Sequence, residues 1–327
     1  MTSRENRARD LDVLVVGSAM VEITPARMGR AISDVESMVP LPSGSAANFA
    51  AVLASLDVGV ALMTRVGDDE LGRWLRDRLS ERGIATDFVV PVRGQLTPVS
   101  FAWMDRQGEK TFYFYRFPGF SDPMETLAPE DIDLAALRRC RLFDFTEAAV
   151  RNEPLRTATL AGARLAREAG CEVCYAVNYR PAAWRGQSED EIIAVQREAC
   201  ACADIVLMNS EEAALVTGNA DPAEAAADVA ALGPRLVLVT AGEDGVTLLT
   251  ASETSQIAAR KVTVVYDIGA GDTFHAGLLA AHLAGMPPEA AARFASDAAA
   301  LRISRDATRP NPTFDEVRRF GEQSDDS

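Results

Sequence analysis

Lysine is almost missing from this chain of 327 residues. Of its 33 basic side chains only Lys110 and Lys261 are lysines, and the rest are arginines. No G-x-x-x-x-G-K-[ST] run exists, so a P-loop is excluded. A side-chain clamp on an anionic ligand would therefore be arginine, whose planar fork suits bidentate contacts to carboxylate or phosphate. Histidine is equally scarce, with His275 and His282 alone, and aromatics make up 6%. Basic residues are outnumbered by 48 acidic ones, for a net charge of −15 and a pI near 4.7, which argues against a nucleic-acid or anionic-membrane partner. The apolar run Leu11 to Val16 is far too short to span a bilayer, and residues 1–10 are charged and polar rather than signal-like. A cytoplasmic protein is expected.

The five cysteines are Cys140, Cys171, Cys174, Cys200 and Cys202. Cys171 and Cys174 have C-x-x-C spacing, but they lie in an apparent strand, where positions three apart face opposite sides. With no histidine close by, zinc is not expected and reduced, buried thiols are. A dinucleotide fingerprint is also missing. Gly17-Ser18-Ala19 follows the first strand, and Phe274 stands where a later glycine turn would need its third Gly.

What is present is an apolar fraction of 48%, enough for one large domain, or one with a small appendage. β-like runs alternate with amphipathic helices, the pattern of a parallel α/β sheet. Strands are expected at Leu11–Val16, Cys171–Val177, Asp204–Met208, Leu236–Val239 and Val262–Val265. Phe49, Val52, Leu53 and Leu56 mark one helix face, and Leu71, Trp74, Leu75 and Leu79 another. Asn178, Asn209, Thr240 and a glycine turn directly follow four of the strands, and ligands of open α/β sheets bind outside the strands' carboxyl ends. Residues 19–41 and 96–117 alternate apolar and polar residues around turn signals such as Asp105-Arg106-Gln107-Gly108, and read as antiparallel hairpins. The ends, 1–10 and 321–327, read as disordered.

The most informative stretch is Tyr266-Asp267-Ile268-Gly269-Ala270-Gly271-Asp272-Thr273-Phe274. A glycine turn opens an alanine- and leucine-rich helix, whose first amides and positive dipole end can hold a phosphate. A carboxylate beside such a place is unfavourable unless it acts, and Asp272 is placed to take a proton from an attacking hydroxyl. The plainer reading is a packing loop followed by a capping Asp.

The Gly-Ala-Gly-Asp-Thr-Phe run resembles the C-terminal signature of the ribokinase-like (PfkB) carbohydrate kinases. Four further segments resemble that family in its order. These are Pro42 to Ala50, ending its glycine-pair segment in Asn48; Val66-Gly67-Asp68-Asp69-Glu70-Leu71-Gly72; Asn209-Ser210-Glu211-Glu212; and Thr240-Ala241-Gly242 to Gly245. Together they cover roughly residues 11 to 316. The resemblance implies a doubly wound α/β fold with a mainly parallel sheet, formed by 11–18, 42–95 and 118–320. It also implies a small β-sheet lid from 19–41 and 96–117, although the sequence equally allows a sheet extension with no moving part. It implies an ATP- and Mg²⁺-dependent phosphotransferase for a small sugar or sugar acid, and a homodimer joined through the lid.

Under that resemblance Asp272 is the general base, and the amides of Gly269, Ala270 and Gly271 hold the charge of the transferred phosphoryl group. Asn209 and Glu212 organise Mg²⁺ through water, or are simply a helix cap and its first-turn acid. Thr240, Gly242 and Gly245 line the nucleotide. Glu22, Gly44 and Asn48 fall at the sugar's hydroxyls. Tyr115-Arg116 and Asn178-Tyr179-Arg180 resemble two subgroups, the 2-keto-3-deoxygluconate kinases and the fructokinases, and the paired arginines favour the sugar acid.

Several positions depart from the pattern. Glu22 stands for the usual Asp, Ser43 for a Gly, and Ser45 for the Lys usual in ribokinases proper. Tyr266 and Asp267 replace the signature's first Asp and its Thr, and Arg305-Asp306-Ala307 lacks a glycine. Both of the latter departures touch the family's K⁺ site, so little or no K⁺ dependence is expected. A non-catalytic sugar- or nucleotide-binding regulator is the alternative of a different class.

Overall fold

The computed structural model describes residues 11–27, 31–104, 110–115, 122–184, 186–265, 269–305 and 309–323. The first strand, β1 (Leu11–Val16), shows how the sequence dictates the layers. Val13 and Val15 enter one core and Leu14 and Val16 the other, as a period of two requires. A strand apolar on both faces must be covered on both, which is the condition of parallel sheets.

After β1 come β2 (Met20–Pro25), β3 (Met38–Ser43), α1 (Ser45–Ser55), β4 (Val60–Gly67), α2 (Glu70–Glu81), β5 (Ile84–Ala85), β6 (Val89–Val92), β7 (Val99–Met104) and β8 (Lys110–Tyr115). The middle of the chain gives α3 (Leu134–Arg139), β9 (Cys140–Thr146), α4 (Leu155–Glu168), β10 (Glu172–Ala176), α5 (Glu189–Cys202), β11 (Ile205–Asn209), α6 (Ser210–Thr217), α7 (Pro222–Ala230) and β12 (Leu236–Thr240). It closes with β13 (Val246–Thr250), β14 (Thr254–Ile257), α8 (Ala270–Leu283), α9 (Pro288–Ile303) and α10 (Phe314–Glu322).

The large sheet runs β14-β13-β12-β11-β10-β9-β1-β4-β5, with β6 also on β4. Its pairings are parallel except at β12–β13 and β13–β14. This is the doubly wound, mainly parallel sheet expected from the sequence. One core holds α1, α2, α8 and α9, and the other holds α3, α4, α5, α6 and α7. A separate four-stranded sheet has the order β3-β2-β7-β8. Its pairs are antiparallel except the parallel one between β2 and β7.

Helix ends follow local chemistry. Asp69 caps α2 by accepting the Gly72 amide at 2.7 Å, and Leu75 and Leu79, four apart, bury its inner face. The first helical turn of α8 gives way to nine consecutive buried residues, Thr273 to Ala281, as expected for a helix enclosed on every side. Gly277 lets α9 come close, since a Cβ there would stand 3.0 Å from the Ala295 Cα.

Three expectations need correction. Val262–Val265 is not a strand. Val264 and Val265 are each 58% exposed, and the sheet beyond β12 is already extended by β13 and β14. β-branched residues there imitate a strand without a partner edge. The C-terminal helix runs to Glu322, two residues into the expected tail. Finally, a histidine does approach the C-x-x-C pair. Cys171 and Cys174 do face opposite cores, but His275 Nε2 lies 3.4 Å from Cys174 Sγ. None of the five cysteines is in a disulfide, and all are buried. No helix among the described residues is long and apolar enough to cross a membrane.

Candidate active site

Helix α8 starts from Gly269, whose φ of 85° is left-handed and suits glycine. No side chain caps this end, so the amides of Ala270 and Gly271 keep their hydrogen-bonding capacity. A Cβ at Gly271 would meet no protein atom within 4 Å, so packing does not explain the glycine there. Asp272 stands in this first turn and is half-buried. Burial pushes its pKa up, and the charges of His275 and Arg180 pull it back down.

The influence of Arg180 locates a second element, since Arg180 lies just past β10. Asn178 adopts a left-handed φ of 41°, which asparagine tolerates, and this turns the chain at the strand's end. Tyr179 and the exposed Arg180 follow. Burial raises the pKa values of Glu147 and Glu212 too, and Arg180 offsets part of that rise, so its charge reaches all three carboxyls.

Asn209 ends β11 and caps α6. Its Oδ1 accepts the Glu212 amide at 2.8 Å, and Glu212 Oε2 accepts the Asn209 amide at 2.8 Å. Glu212 Oε1 accepts the Tyr179 amide at 2.8 Å. This carboxylate, 7% exposed, thus ties two neighbouring strand ends together, and burial pushes its pKa up. Thr240 ends β12 beside them, and its carbonyl accepts from the Ser210 hydroxyl at 3.3 Å. The turn after it needs two left-handed glycines, Gly242 (φ 57°) and Gly245 (φ 94°). A Cβ at Gly245 would lie 2.2 Å from the Ile257 carbonyl, so strand packing accounts for that glycine.

On the other side Glu22 projects from β2 and accepts from Ser43 Oγ at 3.3 Å, with burial raising its pKa. The serine that replaces the family's glycine is therefore a partner of the glutamate that replaces its aspartate. Gly44 (φ 114°) lies against Ser18, whose carbonyl would be 2.4 Å from a Cβ, so packing requires it. Asn48 sits one turn into α1, half-buried, its backbone amide bonded to the Gly44 carbonyl. Tyr115 closes β8 opposite Val99, while Arg116, Tyr266, Asp267, Asp306 and Ala307 lie outside the described residues. Arg305 pairs bidentately with Glu316 at 3.0 and 3.2 Å.

Two buried acids escaped sequence reasoning. Glu147, just after β9, accepts the Trp184 indole N–H at 2.7 Å and two nitrogens of Arg151 at 2.8 and 3.1 Å. It thereby fixes the segment from Asn178 to Trp184. Asp144, fully buried within β9, stands 2.8 Å from His275 Nε2. The strand that holds Asp144 and leads into Glu147, CRLFDFT, reads poorly because charged residues interrupt it.

A glycine-started helix with a carboxyl in its first turn, beside the carboxyl ends of a doubly wound sheet, is the arrangement of a phosphoryl-transfer enzyme without a P-loop. The profile described as "pfkB family carbohydrate kinase" matches residues 10–313, and the chain belongs to this family. It is a phosphotransferase with a hydroxyl acceptor, a sugar kinase. It is 32% identical to a fructokinase of Vibrio alginolyticus over 82% of this chain and 83% of that one. It is also 27% identical to a 5-dehydro-2-deoxygluconokinase of Shouchella clausii (strain KSM-K16), over 96% and 97% of the two chains. The crystal structure of fructokinase with bound ATP from Xylella fastidiosa has the same fold, with a TM-score of 0.83 at 24% identity, covering 96% of this chain and 99% of that one.

Proposed function

We propose that this chain transfers the γ-phosphoryl group of ATP to a hydroxyl of a small 2-keto sugar, with Asp272 as general base. The observation that carries this reading is the Asp272 carboxyl in the first turn of a helix whose leading amides have no side-chain cap. The acceptor hydroxyl gives its proton to Asp272 as its oxygen attacks the γ-phosphorus, and the bond to the β-phosphate oxygen breaks to release ADP. Charge developing on the transferred group is met by the amides at Gly269, Ala270 and Gly271 and by the helix dipole. Thr240, Gly242 and Gly245 lie on the nucleotide side, and ATP is the ligand named for the Xylella structure.

Magnesium fits Asn209 and Glu212 only at one remove. Both oxygens of Glu212 already accept backbone amides, and so does Asn209 Oδ1. A carboxylate has about four lone-pair sites, so water-mediated contact stays open, and Mg²⁺ keeps several waters in such places. The ion would neutralise phosphate charge.

Glu22, Gly44, Asn48, Asn178 and Arg180, with Tyr115 and Arg116, make up the sugar side of the proposal. The acid 2-keto-3-deoxygluconate is the first acceptor to test, because exposed Arg180 supplies a positive charge next to Asp272 that a neutral sugar does not use. Fructose is the second reading, favoured by the Vibrio alginolyticus relative. The deciding measurement is kcat/KM for both acceptors, in the parent and in Arg180→Ala. A parent that prefers the acid, with a roughly ten- to hundredfold loss for the acid alone in the variant, supports the first reading. Preference for fructose replaces it, and ADP release with neither acceptor ends both.

The second sheet serves as a lid in this proposal. Strand register puts Leu41, Glu22, Ser100 and Phe114 in one row, so the face that carries Glu22 also carries half-exposed Leu41 and exposed Phe114. That apolar face suits a homodimer joined lid to lid. Light scattering on the parent and on Phe114→Glu tests it, and a monomeric parent rejects it.

A further inference from the structure

Asp144, Cys174 and His275 form a buried group that the phosphoryl-transfer reading does not use. It joins the centre of the sheet to the helix that bears the proposed base. Asp144 is 0% and His275 5% exposed, and the two lie 2.8 Å apart. Neither carboxylate oxygen meets a donor in good hydrogen-bond alignment, which is costly for a buried acid unless a positive charge stands beside it. The imidazole of His275 and the thiol of Cys174 are the polar groups that face it. β9 presents Asp144, β10 presents Cys174 with its sulfur 3.4 Å from Nε2, and α1 presents the uncharged ring of Phe49, stacked at 4.0 Å. On its own helix His275 lies three residues after Asp272, on nearly the same face.

We propose that the Asp144–His275 contact is a positioning device for the kinase reaction, pinning the first turns of α8 to β9 and so setting where the Asp272 carboxyl meets the acceptor hydroxyl. This rests on the assignment of Asp272 as base. His275 does not touch the reacting atoms in this reading; it acts through Asp272. The pin matters because residues 258–265, the described chain ahead of α8, form no strand that would set the helix direction, and are held there by one backbone bond, from the Val265 amide to the Ile303 carbonyl at 2.8 Å. His275 also acts on Asp272 directly, offsetting part of the burial that raises its pKa. A zinc site is the competing use of the same three groups. Burial and the neighbouring Asp144 push the Cys174 thiol well above its ordinary value, so an ion would have to displace its proton, and a measurement of bound zinc decides between the two uses.

The test compares Asp144→Asn, His275→Gln and the double variant with the parent. It measures kcat, KM for ATP and for the better of fructose and 2-keto-3-deoxygluconate, the pH profile of kcat/KM, and bound zinc. Each single variant is expected to lose about tenfold in kcat with both KM values within about twofold, and the double variant to be no worse than either single. In His275→Gln the acid limb of the profile is expected to move to higher pH, because the influence of His275 that offsets the burial of Asp272 is gone. Should Asp144→Asn not fold, Phe49→Leu loosens the imidazole while keeping both members of the contact, and a kcat loss of about threefold at constant KM is expected. A folded His275→Gln with the parent's kcat and acid limb overturns the inference, as does stoichiometric zinc in the parent that is lost in Asp144→Asn. Asp272→Asn is the control. Its retained activity would remove the base assignment and this inference with it, whereas an inactive control beside an unmoved His275→Gln removes this inference alone.

Discussion

Glu212 accepts the backbone amide of Tyr179 across the gap between two strand ends, so the loop bearing Arg180 hangs from the helix that Asn209 opens. A change on the Asn209 side is therefore felt on the Arg180 side. In Glu212→Gln a side-chain NH₂ must face one of the two amides that the carboxylate accepts. Leaving a buried partner unsatisfied costs about 1–3 kcal/mol. The expected outcome is a lower thermal midpoint together with higher KM values for both ATP and acceptor. A variant that changes KM for ATP alone would show that the tie to Tyr179 does not matter.

Asp272→Asn is expected to lower turnover at least about 100-fold while ATP affinity, followed by titration, changes little. In the parent, activity should fall as pH drops through the Asp272 pKa, because the base must be ionised. Burial raises that pKa, so the acid limb should lie above the ordinary carboxylate range. Turnover within about threefold of the parent in Asp272→Asn would reject the base role.

Gly271→Ala and Gly269→Ala should separate ligand from fold. A methyl at 271 meets no protein atom, so stability should stay within about 0.5 kcal/mol of the parent while phosphoryl transfer falls sharply. A residue with Cβ at 269 must adopt a φ of 85°, at a cost of about 1–2 kcal/mol that a melting experiment reads directly. Full activity in Gly271→Ala would show that phosphate does not approach that amide.

Activity should be nearly the same in sodium, potassium and tetramethylammonium buffers of equal ionic strength. Tyr266 stands where the family's cation site has a carboxylate, and carbonyl oxygens alone hold a monovalent ion weakly. Strong, saturable activation by potassium would assign the missing charge to Asp267 or another group.

Much of the fold was legible because period-two strands such as β1 and capped helices such as α2 announce themselves locally. The Gly-Ala-Gly-Asp helix start was legible for the same reason, since glycine conformation and free amides are properties of a few adjacent residues. Val262–Val265 misled because β-branching is local while a free sheet edge is not. The group of Asp144, Cys174 and His275 was hidden by distance: Cys174 and His275 are 101 positions apart, and only the sheet order brings β9 and β10 beneath α8. Gly44 and Gly245 are also required by nearby backbone, a packing demand that lay outside their local sequence.

The coil before α8 has a meaning for how such a protein can be altered. In an ordinary strand–turn–helix unit the connection acts as a ruler, and adding residues shifts whatever the helix carries. Here the helix is located by its flanks, through Phe49, Asp144 and the Gly277 contact with α9, while residues 258–264 ahead of it pair with no strand. Two or three extra residues after Lys261 should leave kcat nearly untouched, whereas the same insertion between Asn209 and Glu212 should abolish it. The base-bearing helix would then be a portable part, free to tolerate length variation at its entrance so long as its bed is kept.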